Sequence, residues 1–326
     1  MTDRQERDGS TSRPWVGIAA NAHLGVGSGR RRVERLTTEL ERRGFAVRLS
    51  WTPAERSMLV AAARAESQCS CLVAAGGDGT VAALVNDRPE VPITVLRAGT
   101  ENLFAGHFGL SARPERVAAT IAEGRVIRMD LGQTGERRFT LMAGVGFDAD
   151  VVSRHHVARV GRAGVARRTH RGAYVEPVLR SSFRYPFPPL SVRITDPGHE
   201  EELVGTTAFV FNLPRYALGL PFAPSALGDD GWLDLVVFRN AGPWNALRYL
   251  WMVVRGVHTK RVGVYHRRVA RVTIACAETV PVQLDGDPGG SVNGGLSSPP
   301  WCVEVVPQAI DVLVPRSHVA HEVNGI

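Results

Sequence analysis

The sequence predicts an α/β nucleotide-binding domain built on a doubly wound parallel sheet, followed by an antiparallel β-sandwich domain. Three observations carry this expectation. Apolar strand-like runs alternate with helical patterns up to Asp130, three of the strand ends run into glycine-rich loops, and beyond Asp130 strand-like runs continue while helical signals thin out. A chain of 326 residues can bury two cores, and 44% hydrophobic with 22% charged residues is the make-up of a globular protein. The expected boundaries are 1–131 for the α/β domain and 132–307 for the sandwich, joined near Asp130 to Gly132, with the tail 308–326 returning to the first domain.

The elements follow in order. Trp15 to Ala20 is a short apolar run, Asn21 to Gly29 is glycine-rich, and Val33, Leu36 and Leu40 then fall on one helical face closed by Gly44. Phe45 to Trp51 reads as the next strand. Thr52-Pro53-Ala54-Glu55 has the form of a capping box with proline in the first turn, opening a helix to about Glu66. Cys71 to Ala75 is a buried strand entering Gly76-Gly77-Asp78-Gly79-Thr80, and Ile93 to Leu96 is another entering Gly99-Thr100-Glu101-Asn102. Phe139 to Val145, Leu190 to Ile194, Thr206 to Asn212, Leu233 to Phe238, Val269 to Cys276 and Cys302 to Val306 read as strands of the second domain. The segment Arg154 to Arg184 holds eight arginines and three histidines against the single acid Glu176. It reads as a solvated or mobile surface loop, with a patch facing an anionic membrane as the alternative.

Composition removes several classes. The formal charge of +7 points to an anionic partner: nucleic acid, a phosphorylated cofactor or an anionic membrane surface. Lys260 is the only lysine, so a Walker-type loop, which needs lysine after its last glycine, is excluded. No nucleic-acid-binding motif accompanies the charge. Cys69, Cys71, Cys276 and Cys302 are too few and too scattered for a disulfide framework or a zinc site. The most apolar helical stretch, Trp244 to Val254, is interrupted by Arg248 and too short to span a bilayer. A cytoplasmic protein, peripheral to a membrane at most, is the expectation, and a homodimer is compatible with it.

In a parallel sheet the loops after the first, third and fourth strands emerge at one carboxyl edge, where ligands bind. Glycines let the backbone approach a phosphate, and the helix start that follows adds a positive dipole end. Asp78 stands inside such a loop, where a carboxylate repels phosphate unless a cation lies between them. It could bridge through magnesium, act as general base on an acceptor hydroxyl, or stabilise an Asx-type turn.

Gly76-Gly77-Asp78-Gly79-Thr80 followed by Gly99-Thr100-Glu101-Asn102-Leu103-Phe104-Ala105 resembles the diacylglycerol kinase catalytic family, which includes bacterial lipid kinases and sphingosine and ceramide kinases. Asn21 to Gly25 is similar to the family's Asn-Pro turn, with Ala22 at the usual proline. Met129-Asp130-Leu131-Gly132 resembles its domain junction, and Gly144-Val145-Gly146-Phe147-Asp148 the strand that opens its second domain. Asn212, Ala223-Pro224-Ser225-Ala226, Asp229-Asp230-Gly231-Trp232-Leu233-Asp234 and Leu284-Asp285-Gly286-Asp287-Pro288 continue the likeness, which covers about Trp15 to Arg316.

The resemblance implies an ATP-dependent lipid kinase using Mg2+, with a lipid or lipid-like alcohol as acceptor. It implies that Asn21, Gly25, Gly76, Gly77, Asp78, Gly79, Thr80, Gly99, Thr100 and Asn102 hold the nucleotide, that Asp78 is the central acid, and that Asp230 is a metal or site-supporting carboxylate. Asp287 inherits the position of the catalytic base, where bacterial relatives have glutamate. Leu103 stands where many members carry an aspartate of a magnesium-linked network, though the sphingosine-type branch is apolar there. The competing readings are an NAD kinase, which shares the Gly-Gly-Asp-Gly-Thr loop, and a catalytically weak scaffold that binds nucleotide or lipid.

Overall fold

The computed structural model describes residues 13–24, 27–160, 175–295 and 299–318. Strand β1 (Trp15–Ala20) is buried along its whole length. With β2 (Ala46–Ser50), β3 (Cys69–Gly76) and β4 (Ile93–Arg97) it forms a parallel sheet in the order β2-β1-β3-β4. Parallel neighbours need crossovers, supplied here by α1 (Gly27–Arg42), α2 (Pro53–Ala65) and α3 (Asp78–Asn86), while the short α4 (Leu103–His107) and α5 (Pro114–Glu123) follow β4. Helix α1 buries Val33, Leu36 and Leu40 against one face of the sheet together with Val117 and Ile121 of α5. Burial of each such aliphatic side chain contributes roughly 1.5–3 kcal/mol. Leu59 and Val60 of α2 and Leu84 and Val85 of α3 cover the other face. The capping box forms: the Glu55 N–H donates to Thr52 Oγ1 at 3.3 Å, and Glu55 Oε2 accepts from the Thr52 N–H at 3.2 Å.

The strands that follow are β5 (Arg125–Thr134), β6 (Arg137–Phe139), β7 (Met142–Gly146), β8 (Leu190–Asp196), β9 (His199–Gly205) and β10 (Thr207–Phe211). Then come β11 (Leu233–Phe238), β12 (Val264–Val269), β13 (Arg271–Cys276), β14 (Val280–Leu284), β15 (Asp287–Val292) and β16 (Trp301–Val314). Two antiparallel layers face each other across Val145, Val192, Ile194, Val210, Leu235 and Ile274. One is the six-stranded sheet β12-β11-β10-β7-β14-β15, and the other continues the parallel sheet outward through β16, β13, β8 and β9.

The continuity rests on β16. Val312 pairs in parallel with Ile93 of β4, residues up to Val314 pair antiparallel with β5, and Glu304 pairs with Arg271 of β13. Asp130 and Leu131 therefore lie inside a long strand. The buried Asp130 carboxylate accepts the N–H of Gly231 at 2.6 Å and of Gln308 at 2.7 Å, so it pins the 228–231 turn to the bulge of β16.

The second half is more helical than its sequence suggests, with α6 (Phe147–Val160), α7 (Val175–Arg184) and α8 (Pro243–Val254). The expected loop from Arg154 to Arg184 is a correction in part: its two ends are helical, while 161–174 lie outside the described residues. Asp148 and Asp150 stand in the first turn of α6, where they complement the helix dipole, and Asp150 takes an ion pair at 2.6 Å from Arg154 one turn on. Among the described residues no helix is long and apolar enough to cross a membrane.

Candidate functional site

The carboxyl edge of β1, β3 and β4 carries the glycine loops, and a web of short contacts locks them together. Asn21 directly follows β1; its N–H donates to the Ala75 carbonyl, and its side-chain amide reaches Thr80 Oγ1 at 3.4 Å. A side chain on Gly76 would collide with Thr80, and one on Gly77 would stand 2.9 Å from the Gly99 Cα. The two loops touch backbone to backbone, which only glycine permits. Asn102 takes the left-handed conformation at φ 55° and closes a ring on Gly99: Oδ1 accepts the Gly99 N–H and Nδ2 donates to the Gly99 carbonyl, both at 2.8 Å. Thr100 is exposed at the rim of this loop, and Gly25 lies outside the described residues.

Asp78 opens helix α3. Its Oδ2 accepts the Leu103 N–H at 3.0 Å and its Oδ1 the Phe104 N–H at 2.9 Å, so the carboxylate fastens the second glycine loop to the start of the helix after the first. Burial pushes this carboxyl above its ordinary range, while the backbone N–H groups pull it back down. Both bonds run to residues 25 and 26 positions further along the chain, so they join two loops instead of closing an Asx-type turn.

Asp287 arrives from the other side of the cleft. The β14–β15 turn passes through Asp285 and Gly286, both at positive φ. Asp285 is half-buried and accepts from the N–H groups of Thr140, Leu141 and Met142 and from the Thr140 hydroxyl. This anchor sets the next residue but one, Asp287, with Oδ2 3.6 Å from the point where a Cβ on Gly79 would sit. One carboxylate of the sandwich thus faces the phosphate-type loop of the α/β half. Asp230 is placed differently. Its Oδ2 pairs with Arg268 at 2.9 Å and its Oδ1 accepts the Trp232 N–H at 3.1 Å, beside the buried Asp130. Among the described residues no three His, Cys, Asp or Glu side chains gather as a metal cage. A magnesium ion held mostly by phosphate oxygens of a bound ligand needs no such cage.

Asp148, the last residue of the Gly144 to Asp148 motif, has no role legible in the sequence alone. Asp148 is enclosed, accepts from Gln283 Nε2 at 2.9 Å and interacts with Tyr216. It lines a mostly apolar cavity of about 320 Å3 whose walls include Phe147, Val152, Phe187, Phe209 and Leu247, with Ser182, Thr207 and Asn240 among its polar members. Burial pushes its carboxyl up to about 7, with Gln283 and Tyr216 pulling the other way. Acid inside an apolar strand-to-helix junction is the signal that could have singled it out. The 216–220 segment lies between the cavity and the second glycine loop: Ala217 and Leu218 line the cavity, while the Leu218 N–H donates to Glu101 at 2.9 Å and Gly219 lies beside Leu103. Leu103 is therefore packed at the seam between cavity and loop, where an apolar side chain fits. A second cavity of about 620 Å3 is lined by Arg97, Arg116 and Arg316, a more polar setting than the first.

The Asp148 carboxyl binds its proton more tightly folded than unfolded. Its contribution to stability is complete below 3.8 and is lost as pH rises through about 7. Asp148→Asn should therefore raise the melting temperature relative to the unsubstituted protein, by a gap that widens from pH about 5 to about 8. A gap independent of pH would show that Asp148 does not titrate in this range.

Known proteins resemble the chain over nearly its full length. Residues 16–134 match the diacylglycerol kinase catalytic domain, and residues 144–314 match the YegS C-terminal NAD kinase beta sandwich-like domain. A diacylglycerol kinase of Mycobacterium tuberculosis is 30% identical over 79% of this chain and 81% of its own. A probable lipid kinase YegS-like protein of Chromohalobacter salexigens is 26% identical over 75% and 78%. A crystal structure of a Bacillus anthracis diacylglycerol kinase superposes with a TM-score of 0.65 over 95% of this chain and 100% of its own, at 16% identity. That last likeness concerns the fold.

Proposed function

The chain belongs to the diacylglycerol kinase catalytic family, a family of lipid kinases, and from that premise we propose that it transfers the γ-phosphate of ATP to a hydroxyl of diacylglycerol or a related lipid-like alcohol. The observation that carries the proposal is the junction of two unlike sites: a glycine-loop edge suited to phosphates, and an apolar cavity joined to it by the 216–220 segment. The backbone of Gly76 to Thr80 and the start of α3 would receive the phosphates, with the Gly99 to Asn102 ring as the opposite wall. Magnesium would arrive with the nucleotide and neutralise phosphate charge.

In this reading Asp287 takes the proton of the acceptor hydroxyl, Asp78 holds the two glycine loops in register, and Asp148 offers the acceptor's polar end a hydrogen-bond partner inside apolar walls. The expected boundaries at 131 and 307 fall inside β5 and β16, so the division of labour, nucleotide on one side and acceptor on the other, runs across one continuous sheet. An NAD kinase would need a polar acceptor site in place of this apolar cavity. Peripheral attachment to a membrane from the cytoplasm suits an acceptor that lives in a bilayer.

Incubation of the pure protein with labelled ATP, magnesium and a total lipid extract tests the proposal. A labelled, organic-soluble phosphate ester is the expected product. Label found only in NADP when NAD is supplied, or no labelled lipid at all, would overturn the reading.

A further inference from the structure

Helices α7 and α8 pack side by side, and the apolar cavity lies between them. Val178, Leu179 and Ser182 of α7 and Leu247, Leu250 and Val253 of α8 all line it. Leu179 and Leu250 are also solvent-exposed, at 48% and 38%, so the lining of the cavity runs out onto the surface at this place. There it meets side chains of an unusual kind for an exposed face: Phe183 is 61% exposed, Trp244 76% and Trp251 59%. Phe183 and Trp244 sit edge to face with ring centroids 6.3 Å apart, which bridges the two helices. Isolated exposed apolar residues need no explanation, but a contiguous aromatic patch marks an interaction surface.

Charge narrows the partner. Helix α8 carries Arg248 and no acid, Arg255 follows it with its guanidinium 5.7 Å above the Trp251 ring, and α7 carries Arg180 and Arg184 against the lone Glu176. All four arginines are exposed. Spacing puts Trp244, Arg248, Trp251 and Arg255 on one stripe of α8. Tryptophan interleaved with arginine is the composition that sits at the headgroup level of a bilayer, ring in the acyl boundary and cation on the anionic headgroups.

We propose that α7 and α8 form a docking face that seats on an anionic lipid bilayer and opens the cavity between them toward the leaflet, so that an acceptor lipid enters without crossing water. What enters the cavity rests on the lipid-kinase reading; the docking itself does not.

The experiment compares co-sedimentation of the full chain with vesicles of phosphatidylcholine alone and of phosphatidylcholine with phosphatidylglycerol. Binding is expected to the anionic vesicles, weakening as salt rises. Trp244→Ala combined with Trp251→Ala, and separately Arg248→Glu combined with Arg255→Glu, should each lower the partition coefficient about tenfold or more. Neither pair belongs to the cavity lining or to the glycine loops. Phosphate transfer to a short-chain acceptor dissolved as monomer should therefore stay within about twofold, which also reports that the variants fold. If the wild type ignores anionic vesicles, or if the variants bind them like the wild type, the docking face is overturned. It is equally overturned if the tryptophan pair breaks up a dimer in solution with no vesicle binding, since the face would then join two copies of the chain. Loss of all phosphate transfer in the wild type with vesicle binding intact would instead strike the kinase reading alone.

Discussion

Gly77→Val and Gly99→Val are each expected to abolish measurable ATP binding while leaving a folded protein. The reason is a close approach of two backbones. A Cβ on Gly77 would lie 2.9 Å from the Gly99 Cα, and a Cβ on Gly99 would collide with the Gly77 Cα and stand 3.0 Å from Asn102 Oδ1. Neither neighbour is the flexible end of a side chain, so the loops themselves must part. Parting them breaks the Asn102 ring on Gly99 and pulls on the Asp78 bonds to Leu103 and Phe104. Crowding of this kind costs about 1–3 kcal/mol even in a core that can adjust, and each 1.4 kcal/mol is about tenfold in affinity. A loss of roughly 100-fold or more is expected by calorimetry, with far-ultraviolet circular dichroism unchanged because both residues lie in loops beyond the ends of their strands. Unaltered affinity in either folded variant would remove this edge from consideration as the nucleotide site.

The second large effect is expected at Asp287. Asp287→Asn should lower kcat by about 10²–10⁴-fold, the range of a lost general base, with ATP affinity within a few-fold of the wild type. The split follows from the geometry: the glycine loops belong to the α/β half, whereas Asp287 is delivered to Gly79 from the opposite sheet by the Asp285 anchor. Asp78→Asn should show the reverse pattern. An amide at Asp78 keeps one acceptor and turns a donor toward a backbone N–H, so the Leu103 or Phe104 bond is lost and ATP affinity should fall about tenfold. An Asp287→Asn enzyme with full kcat would place the base elsewhere, and an Asp78→Asn enzyme that loses kcat at unchanged affinity would transfer the role to Asp78.

Much of the first half was legible from the chain. The helical stripe of Val33, Leu36 and Leu40, the Thr52–Glu55 capping box and the three strand-to-glycine-loop transitions are local patterns, and each has the form expected. The likeness to the diacylglycerol kinase family was equally legible, because its motifs are short runs of neighbouring residues. The second half was harder to read. Strands β5, β6, β9, β12, β14 and β15 went unread; β15 begins Asp-Pro-Gly-Gly and β9 is rich in glutamate, and neither has the apolar alternation that marks a strand in isolation. Helix α6 draws its stability from burial of Ala149, Val151 and Val152 against the neighbouring sheet, a contact that periodicity in so basic a segment does not announce.

By itself, then, the sequence determined the layer architecture, the glycine edge and the family, all of which depend on residues close together in the chain. Tertiary structure alone decided how distant segments meet. It brought Asp287 over Gly79, tied Leu218 to Glu101 across 117 positions of sequence, and enclosed Asp148 with Gln283 at the end of an apolar cavity. It also turned Asp78 inward onto the backbone of Leu103 and Phe104. A carboxylate's role depends on what surrounds it and how far water has been removed, and burial and hydrogen-bond partners are settled only when strands far apart in sequence pair. Three aspartates of one residue type thus acquire three environments: Asp78 in a backbone cap, Asp148 in an apolar wall and Asp287 facing a glycine loop.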